Sequence, residues 1–359
     1  MGTLRTVIVA TGSYIPTRRV PNDDFLQSDF RGVDGQKIDK PNRQILDQFE
    51  AITGIRERRY ITDDQVTSDI AYAAAADALQ SSEVDRESLD LIIVAHNFGD
   101  VRDGGGRSDM VPALAARVKA KLKIENPGAV AFDLIFGCPG WLQGVIVADA
   151  MVRAGNVRRA LIIGAEALSR VTDPHDRDSL IYADGAGAVV LEARENGDGT
   201  GILAHASRSD TLMHSKMLSM GRSYKDEEFL EALFLKMEGR KLYRYALSTV
   251  AGAIKESLDG AGIGLADVDK LFLHQANGKM DEAILTALYE LYRMPQPAQS
   301  IMPMTISWLG NSSVATIPTM LDLILKGRME GQSIRSGQIL VFASVGAGMH
   351  INAAVYRVP

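Results

Sequence analysis

One cysteine, Cys138, stands in "DLIFGCPGW", where an apolar run gives way to small residues. Pro139 follows it, and proline suits the first position of a helix because its missing N–H costs nothing there. The unpaired N–H groups and dipole of that helix would then point at the sulfur and favour its thiolate. Such a position brings a cysteine from about 8.5 into a range of roughly 3.5 to 7.5. The competing reading is a small buried hydrophobe. Of the six histidines, His274 closes the apolar run "KLFLHQAN", at the strand end where α/β sheets carry their working residues. His96 has the corresponding place in "LIIVAHN", so position alone does not decide between them. Asn311, in "WLGNSSVATIP", is either a donor to a substrate or a turn and cap residue. In "SVGAGMH", Gly346 and Gly348 form a hairpin turn or offer a backbone N–H to an oxyanion.

These residues need elements to hold them. The pattern alternates strand and helix, which predicts an α/β fold. Strands are expected over Thr6–Ala10, Leu89–His96, Val130–Leu134, Ala160–Gly164, Ala186–Glu192, Lys270–His274, Ile339–Ala343 and His350–Arg357. Helices are expected over Ser68–Leu79, Met110–Leu122, Leu142–Ala154, Lys241–Leu258, Met280–Tyr292 and Val314–Lys326. The chain also echoes itself. "LQSSEVDRESLDLIIVAHN" matches "LDGAGIGLADVDKLFLHQAN", and "FDLIFGCPGW" matches "TISWLGNSSV" read as strand, glycine and helix. "RRALIIGAE" with "GAGAVVLEA" matches "GQILVFASVGAG" with "INAAVYRV". The common order implies two βα halves, residues 1–200 and 201–359, joined near "ENGDGTG". Packed as repeats, they would turn Cys138 and Asn311 toward one cleft.

Composition narrows the class. At 359 residues, 46% apolar and 23% charged, the chain reads as a globular protein with a large core. No apolar run reaches the roughly 18 to 20 residues of a membrane span. "MGTLRTVIVATGS" reads as a first strand rather than a secretory leader. A lone cysteine forms no internal disulfide, and no Cys/His cluster has zinc spacing, so a reducing cytoplasm is the expected setting. The net charge of −6 argues against non-specific nucleic-acid binding.

Read in order, "TGSYIPTRRVPN", "TGIRERRY", "GCPGW", "DPHDRDS", "DGAGAVVLEA", "HQAN", "GNSSVATIP" and "SVGAG" make the sequence resemble the β-ketoacyl-acyl-carrier-protein synthase III family of the thiolase superfamily. The resemblance runs over nearly the whole length. It implies a thiolase-like fold of two pseudo-repeated halves in five layers, α-β-α-β-α. It also implies a Cys–His–Asn triad falling on Cys138, His274 and Asn311. Cys138 would accept the acyl group, and His274 and Asn311 would bind the malonyl thioester carbonyl during decarboxylation. The N–H groups of Cys138 and Gly348 would form the oxyanion hole. No metal or redox cofactor is required, since acyl-CoA and malonyl-acyl-carrier protein are substrates. A homodimer and a docking acyl-carrier protein are implied as partners, with neither nucleic acid nor membrane. The pair Gly310–Asn311 replaces the Gly–His pair of elongating relatives, and the absence of a second cysteine argues against thiolysis.

The resemblance weakens where CoA would lie. Arg177 and Lys279 match basic residues of the family's CoA site, and Arg240 stands in place of the asparagine of a Gly–Asn pair there. Gln48 replaces the usual tryptophan and Ile52 an arginine, and "DFRGVDGQKIDKPN" is additional. Val111 and Met110, just before Pro112, match the position that sets primer length from the neighbouring subunit. A valine there leaves room for a longer or branched primer. Arg240, Lys241 and Arg244, close to helical spacing, form with Lys279 the candidate face for an acidic carrier protein. The alternative to fatty-acid initiation is a specialised relative that joins two long acyl chains head to head or makes a polyketide or pigment lipid.

Overall fold

The computed structural model describes residues 4–104, 107–195, 199–225, 232–296 and 300–359. Its main elements run β1 (Leu4–Tyr14), α1 (Asn42–Thr53), α2 (Thr67–Gln80), β2 (Leu91–Ala95), α3 (Leu114–Lys121), β3 (Val130–Leu134), α4 (Gly140–Arg153), β4 (Arg159–Ala167) and β5 (Asp184–Glu195). Then come β6 (Gly201–Ser209), α5 (Gly239–Ala261), β7 (Lys270–Leu273), α6 (Gly278–Leu291), α7 (Thr316–Leu325), β8 (Ile339–Gly346) and β9 (His350–Arg357).

The first sheet has the order β1-β5-β4-β2-β3, with β2 parallel to β3 and β4, and β5 antiparallel to β1 and β4. The second, β6-β9-β8-β7, repeats this connection: β7 is parallel to β8, and β9 is antiparallel to β6 and β8. Where β3 would recur, the segment at Ile301 lies beside β7, its carbonyl accepting from the Leu271 N–H at 3.0 Å.

Side-chain alternation sorts each strand between two layers. Leu91, Ile93 and Ala95 pack on α4 and α7, whereas Ile92 and Val94 face α2 and α3. In the second sheet Phe272, Leu340 and Phe342 face the same α4–α7 pair, and Leu271, Leu273 and Val341 face α5 and α6. The fold is therefore thiolase-like, with five layers and α4 and α7 at its centre. Burial on both faces is why these strands read as continuous apolar runs.

Helix α7 is buried over nearly its whole length, including Asp322. That carboxylate accepts from Thr11 Oγ1 at 2.8 Å and Ser13 Oγ at 2.6 Å, and pairs with Lys326 at 2.8 Å, tying the central helix to β1. Asp322→Ala leaves the Thr11 and Ser13 hydroxyls without this acceptor and leaves the half-buried Lys326 with Asp77 as its remaining carboxylate. It is expected to cost about 3 kcal/mol, read from the urea midpoint at unchanged slope. A shift within about 0.5 kcal/mol would show that the clamp carries no stability.

Four expectations change. Helix α3 starts at Leu114 rather than Met110, because Asp133 accepts from the Leu114 and Ala115 N–H groups at 2.7 Å each, just after Pro112. The stretch "TISWL" is a helical turn, Ile306–Leu309, rather than a strand. The buried Gln275 Oε1 accepts from Thr305 and Ile306 N–H at 2.8 and 2.9 Å and so starts that turn. Helix α1 and strand β6 were not anticipated, since the former follows the additional polar segment and the latter begins inside the expected connection. Residues 196–198 of that connection lie outside the described residues.

Candidate active site

Cys138 lies between β3 and α4, on the loop that enters the central helix. Gly137 has φ +64°, and a Cβ there would stand 2.7 Å from the backbone N and O of Ala347. A Cβ on Gly346 would stand 2.4 Å from the Cys138 nitrogen. The cysteine loop of the first half and the glycine turn of the second half thus meet backbone to backbone, and side chains at either glycine would force them apart. Phe136 stacks on His350 with ring centroids 4.1 Å apart, and Asn352 Nδ2 donates to Gln143 Oε1 at 3.1 Å, which fixes the start of α4 against β9.

His274 follows β7, its N–H donating to the Ala343 carbonyl at 2.9 Å. Gln275 beside it organises residues 303–306, its Nε2 donating to the Pro303 carbonyl at 2.8 Å. Asn311 is held through its own backbone. Its N–H donates to Ile181 O at 3.0 Å, and its carbonyl accepts from Ala183 N at 2.8 Å. Its Oδ1 accepts from Ser313 N at 2.8 Å, so the NH₂ group is left for another partner. Ser313 is held at φ +52°, uncommon for a residue other than glycine, and its hydroxyl donates to Cys138 Sγ at 3.4 Å.

Cys138, His274, Asn311 and Gly348 all line one cavity of 1230 Å³. Phe49, Phe98, Leu168, Ile181, Leu235 and Met237 give it an apolar wall, and Lys40, Arg177, Arg240 and Arg244 contribute basic groups. His96 does not line it. Its Nε2 lies 3.0 Å from Asp133 and its Nδ1 accepts from Gly99 N at 3.0 Å, so the first-half histidine is bound into the structure. The Nδ1 of His274 is buried without a partner.

The electrostatics modify one expectation. Burial pushes the Cys138 thiol up to about 11; the Ser313 hydrogen bond opposes this, and the Glu166 charge adds to it. Desolvation thus acts against the thiolate that the helix end favours. Burial also lowers His274 to about 4, with the Ser313 backbone acting the other way, so the ring is neutral near pH 7.

Several expected residues lie elsewhere. Lys279 is exposed at the start of α6 and, like Lys241, is not among the cavity residues; Lys241 pairs with Glu238. Met110 and Val111 do not line the cavity either, and Val111 is 86% exposed. Gln48 and Ile52 do line it, as does Lys40 of the additional segment. Three residues beside the thiol were missed: Asn97, Ser313 and Glu166. The signal for Glu166 was a charged residue at the end of the apolar strand "RALIIGAEA". Nothing local in the sequence marked the other two.

Family models for 3-oxoacyl-[acyl-carrier-protein (ACP)] synthase III match residues 132–211, and for its C-terminal part residues 258–358. Among solved structures, the 3-oxoacyl-(acyl carrier protein) synthase III of Pseudomonas aeruginosa PAO1 is 28% identical, with TM-score 0.80 over 99% of this chain and 98% of that one. The β-ketoacyl synthase III of Thermus thermophilus is 29% identical, with TM-score 0.79 over 98% and 99%. The priming β-ketosynthase of the R1128 polyketide pathway is 25% identical, with TM-score 0.80 over 100% and 98%. By these matches and by its fold, the chain belongs to the 3-oxoacyl-[acyl-carrier-protein] synthase III family.

Proposed function

We propose that the protein catalyses decarboxylating Claisen condensation of an acyl thioester with malonyl-acyl-carrier protein, through an acyl-Cys138 intermediate. The observation that carries this reading is the convergence of Cys138, His274 and Asn311 on one apolar-walled cavity. Residues 1–200 supply the nucleophile and residues 201–359 the two polar groups.

In the first half-reaction Cys138 sulfur attacks the primer carbonyl. An S–C bond forms, the thioester C–S bond breaks, and the thiol proton leaves on the departing CoA thiol. The N–H groups of Cys138 and Gly348 serve the transient oxyanion. In the second, the malonyl group loses CO₂, and its carbonyl oxygen takes enolate charge. The neutral His274 ring and the Asn311 NH₂ donate to that oxygen. The carbanion then attacks the acyl-cysteine, the C–S bond to Cys138 breaks, β-ketoacyl-carrier protein is released, and the departing sulfur takes up a proton from solvent to regenerate the thiol. None of these steps calls on a metal or redox group. Arg177, Arg240 and Arg244 are suited to the phosphates of an acyl-CoA or to an acidic carrier protein, with Lys241 and Lys279 outside the cavity. In a homodimer, Val111 and Met110 would reach the partner's acyl pocket. Among the described residues no helix is long and apolar enough to cross a membrane.

The volume and apolar wall favour primers longer than acetyl. Intact-mass measurement after incubation with a panel of acyl-CoAs and acyl-carrier proteins is expected to show one acyl adduct on Cys138, including from C6 or longer donors. Loading by acetyl-CoA alone would refute the long-primer assignment. Absence of any adduct on folded protein with a free thiol would refute the catalytic reading.

A further inference from the structure

Behind the nucleophile lies a row of polar groups that the condensation scheme does not use. Glu166, at the end of β4, is fully buried, and its Oε1 has no partner. Its Oε2 accepts from Asn97 Nδ2 at 2.5 Å. The same Nδ2 lies 3.4 Å from Ser313 Oγ, and Ser313 Oγ lies 3.4 Å from Cys138 Sγ. Asn97, Ser313 and Cys138 line the cavity, whereas Glu166 stands outside its wall.

The chemistry of the row gives it a direction. Charged or protonated on Oε1, Glu166 presents Oε2 as an acceptor, so the NH₂ end of Asn97 must face it. That orientation also turns an N–H toward Ser313 Oγ. With its oxygen receiving a hydrogen, the Ser313 hydroxyl directs its own hydrogen to the sulfur. Without the carboxyl, the Asn97 amide is free to turn over. Its Oδ1 would then take the Ser313 hydrogen away from Cys138. We infer that Glu166 is a positioning residue for the nucleophile, acting through Asn97 and Ser313 to hold a hydrogen-bond donor on the Cys138 sulfur.

The charged and titratable groups around Glu166 are His96 from the end of β2, Asp184 from β5 and Cys138 itself. Burial raises Glu166 to about 7, with His96 and Asn97 opposing and Asp184 adding. Asp184, raised by burial to about 6, is engaged by Ser169 and the Ile61 N–H. The direct field of an ionised Glu166 disfavours a thiolate. Removing the carboxyl therefore has two effects of opposite sign, and the sign observed identifies the one that dominates.

This inference deepens the proposed function, but its test does not need turnover. The pseudo-first-order rate of Cys138 alkylation by iodoacetamide is measured against pH for the full chain. Ser313→Ala is expected to slow alkylation about tenfold, as loss of a hydrogen bond to a charged group does, and to move the profile to higher pH. Glu166→Leu is expected to slow it in the same direction, and to add no further slowing in the Ser313→Ala background. Asn97→Ala, on the cavity wall, is expected to behave as Glu166→Leu and carries the same cycle if the core variant does not fold. Alkylation as fast as the parent's or faster in Glu166→Leu would overturn the inference. So would slowing that persists undiminished without the Ser313 hydroxyl. Failure of acyl loading in the parent protein would instead count against the proposed function and leave this cycle readable.

Discussion

A Cys138→Ala variant is expected to form no adduct with any acyl thioester and to lose condensation by on the order of 10⁴-fold or more. The magnitude follows from the role proposed for the sulfur, which is the sole covalent acceptor between the two half-reactions. No other thiol exists in the chain to substitute for it. Alanine fits the space, and the loop is held by Gly137 and Gly346 in backbone contact and by the Asn352–Gln143 bond. The fold is therefore expected to survive, with a urea midpoint close to the parent's. Decarboxylation of malonyl-carrier protein is expected to persist, because in the proposed scheme His274 and Asn311 act on the malonyl carbonyl without a bond to sulfur. Released CO₂ and single-turnover ketoacyl formation separate the two activities. Condensation within about tenfold of the parent would exclude the acyl-cysteine pathway, since loss of a covalent nucleophile costs far more than that.

The residues that announce this chemistry are legible because each terminates a regular element. Val130–Leu134 and His350–Arg357 have the expected bounds, and the strands before His274 and the helix after Cys138 lie within a few residues of expectation. Period-2 alternation and apolar runs carry that much. What stays hidden depends on contacts distant in sequence. The "TISWL" run has the composition of a strand, but Gln275, about 30 residues earlier, accepts its first N–H groups and starts a helical turn. Helix α3 loses its predicted first turn to Asp133, some 19 residues later. The same holds for the site. Ser313 reads as one serine of a pair in "GNSSV", and only the fold sets its hydroxyl on a sulfur 175 residues away. The thiol's acidity depends on the fold in a related way. A helix end is visible in sequence, but the degree of burial that opposes it is not. The pseudo-repeat was readable, yet it placed His96 and His274 as equals. Asp133 and the Gly99 N–H engage the first, whereas the second lines the cavity and has no partner on its buried Nδ1.

Removing the donors proposed for the malonyl side is expected to invert the Cys138→Ala phenotype. His274→Ala and Asn311→Asp should each load an acyl group on Cys138 at close to the parent's extent. Each should slow decarboxylation by about 10²- to 10³-fold, the usual cost of one donor to a developing oxyanion. Asn311→Asp is the sharper of the two. A carboxylate still accepts the Ser313 N–H that Asn311 Oδ1 now accepts at 2.8 Å, so the turn keeps its bond while the NH₂ donor is lost. The pH dependence tests His274 separately. Its folded pKa is depressed to about 4 by burial, so the neutral ring persists as pH falls and is protonated only near that value. Decarboxylation by the acyl-loaded enzyme should therefore show no loss attributable to this ring between pH 8 and about 5. A His274-dependent fall centred near pH 6.5, absent in His274→Ala, would mean that the ring is solvated during turnover. The cavity would then have to open between loading and condensation. A flat profile instead means that the ring stays neutral through turnover, as its burial in the structure favours.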